Sequence, residues 1–186
     1  MLHAVYGVSV AAYTRFLTLI FAAAFSPSAM CDERAALWGG RAAAADIFAC
    51  GAAGLIIHFD GVQWKSKTSS TSNTLFGMWG SAPNQVFAVG QFGTVVRYDG
   101  NLWRTLPTGG SVQKLNNVFG DSKAVYIVGD TGTLLRSSTT FDSFQSVTTG
   151  FSTDLYVVQP QGSNGIGWLA GSSGTGGVLA YYDNRP

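Results

Sequence analysis

At 186 residues, with 24 glycines and 13% aromatic residues, the chain has room for one ordinary domain of short strands joined by many turns. Hydrophobic residues make up 46%, which argues against intrinsic disorder because burial on that scale offsets chain entropy. Charged residues are 11% and the net charge is +1, which excludes the broad basic field that nucleic acid would require.

The N-terminus differs in character from the rest of the chain. Arg15 precedes the run from Phe16 to Phe25 (FLTLIFAAAF), and Ser26, Pro27, Ser28 and Ala29 come next. That is the layout of a secretory signal over residues 1–29, with cleavage expected near Ala29; the alternatives are a signal anchor, although the run is short for a bilayer span, and an unstructured upstream extension. Residues 30–36 read as a linker. The expected location is secreted or in the cell envelope, tethered to the membrane if the segment is an anchor. An exported chain could pair Cys31 with Cys50, but the favoured reading of Cys50 is a buried thiol on a strand.

From Leu37 onward the chain repeats itself. Leu37 to Trp64, Met78 to Trp103 and Val118 to Phe144 are three copies with a period of about forty residues. Gly51, Gly90 and Gly129 are 39 residues apart, and so are Gly54, Gly93 and Gly132. A fourth copy is looser: Trp168 to Gly171 matches Phe87 to Gly90, and Gly177 to Asp183 matches Gly93 to Asp99. A Gly/Ser/Thr insertion separates its halves, and it stops before the strand that closes the other copies. Blades are placed at about 37–74, 75–114, 115–152 and 153–186.

Within a copy, β-branched and aromatic runs such as Gln85 to Val89 and Thr94 to Tyr98 lie between turn residues and predict about four strands. The Gly-x-x-Gly spacers are expected to supply positive-φ positions for a tight hairpin. Asp60-Gly61 and Asp99-Gly100 are expected to make the next one. Trp38, Trp64, Trp79, Trp103, Phe119 and Trp168 are expected to wedge between neighbouring sheets as core. The predicted fold is therefore all-β and propeller-like, four repeats with the last incomplete. Such an array closes as a four-bladed ring, pairs with another chain, or is a fragment of a longer propeller and so open or partial, and the last two are favoured. An unpaired sheet edge is expected at each end, and with it self-association.

The phrase from Met78 to Gly90 (MWGSAPNQVFAVG), continued by Gly93-Thr94 and Tyr98-Asp99-Gly100, resembles the propeller repeats of bacterial secreted and surface proteins. Blade three, from Val128 to Ser137, is similar to repeats of the photosystem II assembly-factor type and of the neuraminidase type. The neuraminidase turn Ser-x-Asp-x-Gly-x-Thr-Trp is not kept, since Ser138 to Phe144 lacks its Gly and Trp. The resemblance covers about 150 residues and implies fold more than function.

Candidate chemistry is sparse. Glu33 is the single glutamate, and it precedes the repeats. Asp60, Asp99 and Asp183 recur at one repeat position, as turn residues do. His58 is the single histidine of the repeats, so no multi-histidine metal site is expected, and no cofactor. No serine sits in a nucleophile-elbow pattern, and Gly171 to Gly177 lacks the lysine of a phosphate loop. The one recurring polar slot holds His58, Arg97, Arg136 and Tyr181 at equivalent positions. Its plain reading is sheet-edge cover or contact with the next blade; its functional reading is an arc of donors for an acidic or carbohydrate ligand. The expectation is a non-enzymatic binding or scaffold module for a protein or glycan. The alternatives are part of a sialidase-like glycan-processing enzyme or an assembly factor for a membrane complex.

Overall fold

The computed structural model describes residues 37–38, 47–121, 123–161, 166–172 and 176–182. The leader, Cys31, Glu33 and Asp183 lie outside them, as do the side chains of Leu37 and Trp38.

Among the described residues, fifteen strands form four sheets, each an antiparallel meander in chain order. The first contains β1 (Leu37–Trp38), β2 (Ile47–Cys50), β3 (Ile56–Phe59) and β4 (Trp64–Lys67). The second contains β5 (Leu75–Ala82), β6 (Gln85–Gly90), β7 (Val95–Tyr98) and β8 (Trp103–Thr105). The third contains β9 (Leu115–Gly120), β10 (Val125–Gly129), β11 (Leu134–Ser137) and β12 (Phe144–Ser146). The fourth has three strands among the described residues, β13 (Asp154–Gln161), β14 (Ile166–Ser172) and β15 (Gly177–Tyr182).

The second and third sheets are apolar on both faces because each lies between two others. Alternation along a strand divides its residues between the faces. In the second sheet, Trp79, Phe87, Arg97 and Arg104 lie in cross-strand register on one face. Gly80, Val86, Tyr98 and Trp103 share the other. The first face meets the third sheet, where Trp79 lies 6.0 Å from Phe119 and Phe87 lies 6.1 Å from Phe144, ring to ring. The second face meets the first sheet, where Phe48 packs on Tyr98 at 5.4 Å and on Trp103 at 5.9 Å. One buried cluster runs through the first three sheets, and a second, around Tyr126, Val128, Leu134, Leu155 and Leu169, joins the third to the fourth.

Backbone hydrogen bonds stitch the sheets together at one end. Leu75 N donates to Gly51 O at 3.0 Å, Gly93 N to Gln113 O at 2.8 Å, and Gly132 N to Thr153 O at 2.7 Å. At the seam between the third and fourth sheets, Asn116 Nδ2 and Asn117 Nδ2 donate to the carbonyls of Leu155 and Tyr156.

The spacer glycines divide their work, and only the second of each pair meets the expectation of positive φ. Phe92 and Gly93 both have positive φ, and Thr94 N donates to Gln91 O at 3.0 Å, the pattern of a type I′ hairpin. Ala53 with Gly54 and Thr131 with Gly132 repeat it. Gly51 and Gly90 are instead in extended backbone, and Gly129 is not among the positive-φ residues. What requires glycine at position 90 is space. Gln91 N holds the Thr74 carbonyl at 2.9 Å, and a Cβ on Gly90 would run into that oxygen. Gly129 faces the Lys114 carbonyl in the same way, and Gly171 that of Asp154.

Of the expected core aromatics, Trp79 and Trp103 are buried, whereas Trp64 and Phe119 are half-buried. Trp168 is 43% exposed, contrary to expectation. It occupies the β14 position equivalent to Phe87, and that aromatic is covered by the following sheet; the described residues include none after the fourth. Among the described residues, what the fourth sheet leaves exposed is accordingly part of a face.

Trp79→Ala is expected to cost about 3–5 kcal/mol in denaturant titration, as for truncation of a large packed aromatic; a loss under about 1 kcal/mol would contradict the packing described. Gly90→Ala is expected to cost about 2 kcal/mol or more by forcing the Thr74 carbonyl away. By contrast, Gly176→Ala, whose Cβ meets nothing within 4 Å, should stay within about 0.5 kcal/mol of the parent.

Candidate functional site

The recurring polar slot occupies the third strand of each sheet. His58 lies on β3 opposite Phe48, Arg97 on β7 opposite Phe87, Arg136 on β11 opposite Tyr126, and Tyr181 on β15 opposite Trp168. Each rests on that aromatic of its own sheet. The His58 ring stacks on Phe48 at 4.2 Å, and the Arg97 guanidinium carbon lies 5.9 Å from the Phe87 centroid. Arg136 lies 6.0 Å from Tyr126, and Tyr181 meets Trp168 edge-on at 5.0 Å. A cation over a ring is attracted by the quadrupole, and a stacked or edge-on ring contributes comparably. The aromatic partners follow the same register as the slot, with Phe48, Phe87 and Tyr126 at 39-residue steps.

Arg97 also reaches across a seam. Its Nη1 donates to the Phe141 carbonyl at 3.1 Å and approaches that of Thr140 at 3.5 Å, both in the β11–β12 loop of the next sheet. This gives Arg97 a stapling contact between the second and third sheets. The four slot residues stand on four different sheets, each against its own aromatic, and the geometry does not gather them around one point.

The repeated aspartates organise turns. Asp60 Oδ1 accepts from Val62 N at 3.0 Å and Gln63 N at 2.9 Å, and Asp99 Oδ1 accepts from Asn101 N and Leu102 N, both at 2.9 Å. Gly61 and Gly100 come next with positive φ, as expected for these hairpins. The third copy has a longer loop in which Ser138 Oγ accepts from Asp142 N and donates to Asp142 Oδ1 at 2.8 Å. All three carboxyls are held below the usual range. For Asp60 the largest cause is the hydrogen bond from Lys65 Nζ, at 2.7 Å, followed by the Gln63 and Val62 amides. For Asp99 it is the Leu102 amide and then that of Asn101, and for Asp142 the hydroxyls of Thr140 and Ser138. Among the described residues no group of three His, Cys, Asp or Glu side chains could hold a metal ion. Cys50 is buried, with its Sγ 3.9 Å from the Gly77 carbonyl of the second sheet.

The sequence did not single out Phe92. It sits at the tip of the β6–β7 turn with φ 55° and ψ 38°, and it is 71% exposed. Exposed Val112 lies alongside, in the segment that leads into the third sheet. The stitch from Gly93 N to Gln113 O holds the two segments together, and a Cβ on Gly93 would lie 3.5 Å from Val112 N. A signal was present: the turn position held by Phe92 is Ala53 one copy earlier and Thr131 one copy later.

Four antiparallel sheets stacked face to face in chain order, each entered through its neighbour's hairpin, define the architecture. The fold is propeller-like. The solved structure of YCF48 bound to D1 peptide is similar to it, with a TM-score of 0.55 and 11% identity over 84% of this chain and 56% of that one. The chain thus spans little more than half the length of this propeller-like neighbour, and the likeness concerns the fold alone. No known family matches the sequence, and no curated protein matches it.

Because the folded-state pKa values of Asp60, Asp99 and Asp142 lie below their ordinary 3.8, their contribution is present above that value and lost as pH falls through the lower folded values. The melting temperature should therefore hold from neutral pH down to about pH 5 and fall below about pH 4. The triple variant D60N/D99N/D142N keeps the side-chain acceptors but cannot titrate there, and its acid limb should be shallower. An unchanged limb would show that these turns do not set acid stability.

Proposed function

We propose that the chain is a non-enzymatic binding or scaffold module, exported by its apolar leader, that takes an extended segment of a protein partner on the end of the array bearing the β6–β7 turn. The observation that carries this reading is Phe92. A bulky residue in the left-handed region costs about 1–2 kcal/mol relative to the right-handed one, and a phenyl ring in water recovers none of it by burial. Ala53 and Thr131 adopt the same φ in equivalent turns, so the hairpin itself does not call for an aromatic.

Backbone strain combined with an exposed aromatic is the pattern of a contact residue rather than of a packing residue. Val112 is a second exposed apolar side chain, on the segment that the Gly93 amide ties to this turn. The peptide bound to YCF48 supports the reading by analogy, as an example of this kind of fold carrying a peptide partner.

Panning the full chain against a displayed library of random twelve-residue peptides tests it. Selected peptides should bind the parent and lose at least ten-fold in affinity on Phe92→Thr, which borrows the residue of the third copy and should leave stability within about 0.5 kcal/mol. Failure to select peptides, or selected peptides that bind the variant as tightly as the parent, would overturn the reading.

A further inference from the structure

The first two sheet-on-sheet seams obey one rule. In the seam between the first and second sheets, the second-strand aromatic Phe48 meets the fourth-strand aromatic Trp103 edge-on, at 77° and 5.9 Å. In the next seam Phe87 meets Phe144, the residue equivalent to Trp103, at 87° and 6.1 Å. A forward face carrying the second-strand aromatic and the slot residue is thus covered by the backward face of the following sheet, which carries the fourth-strand aromatic.

Both ends of the array depart from full cover, and they do so in complementary ways. On the forward face of the fourth sheet, Trp168 and Tyr181 stand side by side, with Val157, Ala170 and Leu179 in cross-strand register beside them. Trp168 is 43%, Tyr181 48% and Leu179 72% exposed, whereas Phe48 and Phe87 in the equivalent position to Trp168 are fully buried. On the backward face of the first sheet, Phe59 and Trp64 are half-buried and tilted at 38°, 5.4 Å apart. Their equivalents Tyr98 and Trp103, which cover Phe48, have nearly the same geometry at 31° and 5.3 Å.

We infer that the forward face of the fourth sheet docks on the backward face of the first sheet of a second copy, head to tail, and that two such seams close two copies into one ring of eight sheets. The occupant is another copy because the surface already shaped to cover such a face is a backward face of this same repeat, and the chain presents one at its other end. Two copies leave neither face open, and eight sheets is within the usual range of four to eight for closed propellers. The loop end bearing Phe92 is not consumed by this contact, so the inference stands apart from the peptide-binding reading.

Sedimentation of the full chain from about 1 to 100 μM should show a two-copy species. Trp168→Lys, and separately Leu179→Lys, should weaken it at least ten-fold while leaving the melting temperature within about 4 °C, since both side chains are exposed. A photo-crosslinking amino acid at position 168, read by mass spectrometry in a mixture of heavy and light copies, should join residue 168 of one copy to residues 47–67 of the other. A monomer at 100 μM would overturn the inference, as would crosslinks to residues 1–36 of the same copy, which would show the leader on this face. Crosslinks between position 168 and residues 154–182 of another copy would mean tail-to-tail pairing and would also overturn it.

Discussion

Burial of one aromatic per sheet by the sheet next in the chain is the constraint on which the rest of the structure depends. Phe48, Phe87 and Tyr126 stand at the same register of three second strands, and each is covered from the next sheet. A four-stranded meander has two apolar faces and cannot bury either one alone. Stacking supplies the cover, and the interior seams are where large rings gain the most from leaving water. The slot residues are a consequence of that arrangement. His58, Arg97, Arg136 and Tyr181 lie on the rings that fill the seams, and Arg97 adds a hydrogen bond to the sheet beyond.

Close backbone approach, between the first two strands of a sheet as well as between sheets, is why small residues recur beside the aromatic ones. Gly90, Gly129 and Gly171 accept a carbonyl oxygen where a Cβ would stand. Gly93 and Gly132 turn the chain at positive φ and then donate their amides to the segment entering the next sheet. The same short motif thereby sets the hairpin, the spacing and the stitch between sheets. The loop end formed by these stitches is a rigid platform, and a strained aromatic such as Phe92 keeps its position there because the hydrogen bonds of its neighbours fix the backbone.

The propeller-like likeness to YCF48 at 11% identity fits a fold maintained by pattern rather than by particular residues. The fourth-strand aromatic is Trp64, Trp103 or Phe144, and the second-strand aromatic is Phe48, Phe87, Tyr126 or Trp168. What stays constant is a ring of adequate size at a fixed register. The seams tolerate such exchanges because each ring meets its neighbour edge-on or tilted, and those arrangements accommodate different aromatics.

The period of about forty residues, the strand signals and the Asp-Gly hairpins were legible in the sequence, because turns and alternation are local and recur in each copy. So were the register of the slot and the burial of Trp79 and Trp103. The conformations of Gly51, Gly90 and Gly129 were not, and at 90 and 129 the need for glycine comes from a carbonyl on another segment rather than from their own φ. Trp168 was misjudged for a related reason: its repeat position is buried wherever another sheet comes after it, and exposure at the end of the array depends on a neighbour rather than on the residue. Phe92 looked like one variable position in a turn. The sequence by itself determined the repeating unit, its hairpins and its aromatic register. The tertiary structure alone decided which faces are covered, which glycines are steric and where an exposed ring stands ready for a partner, because each of those depends on contacts between segments distant in the chain.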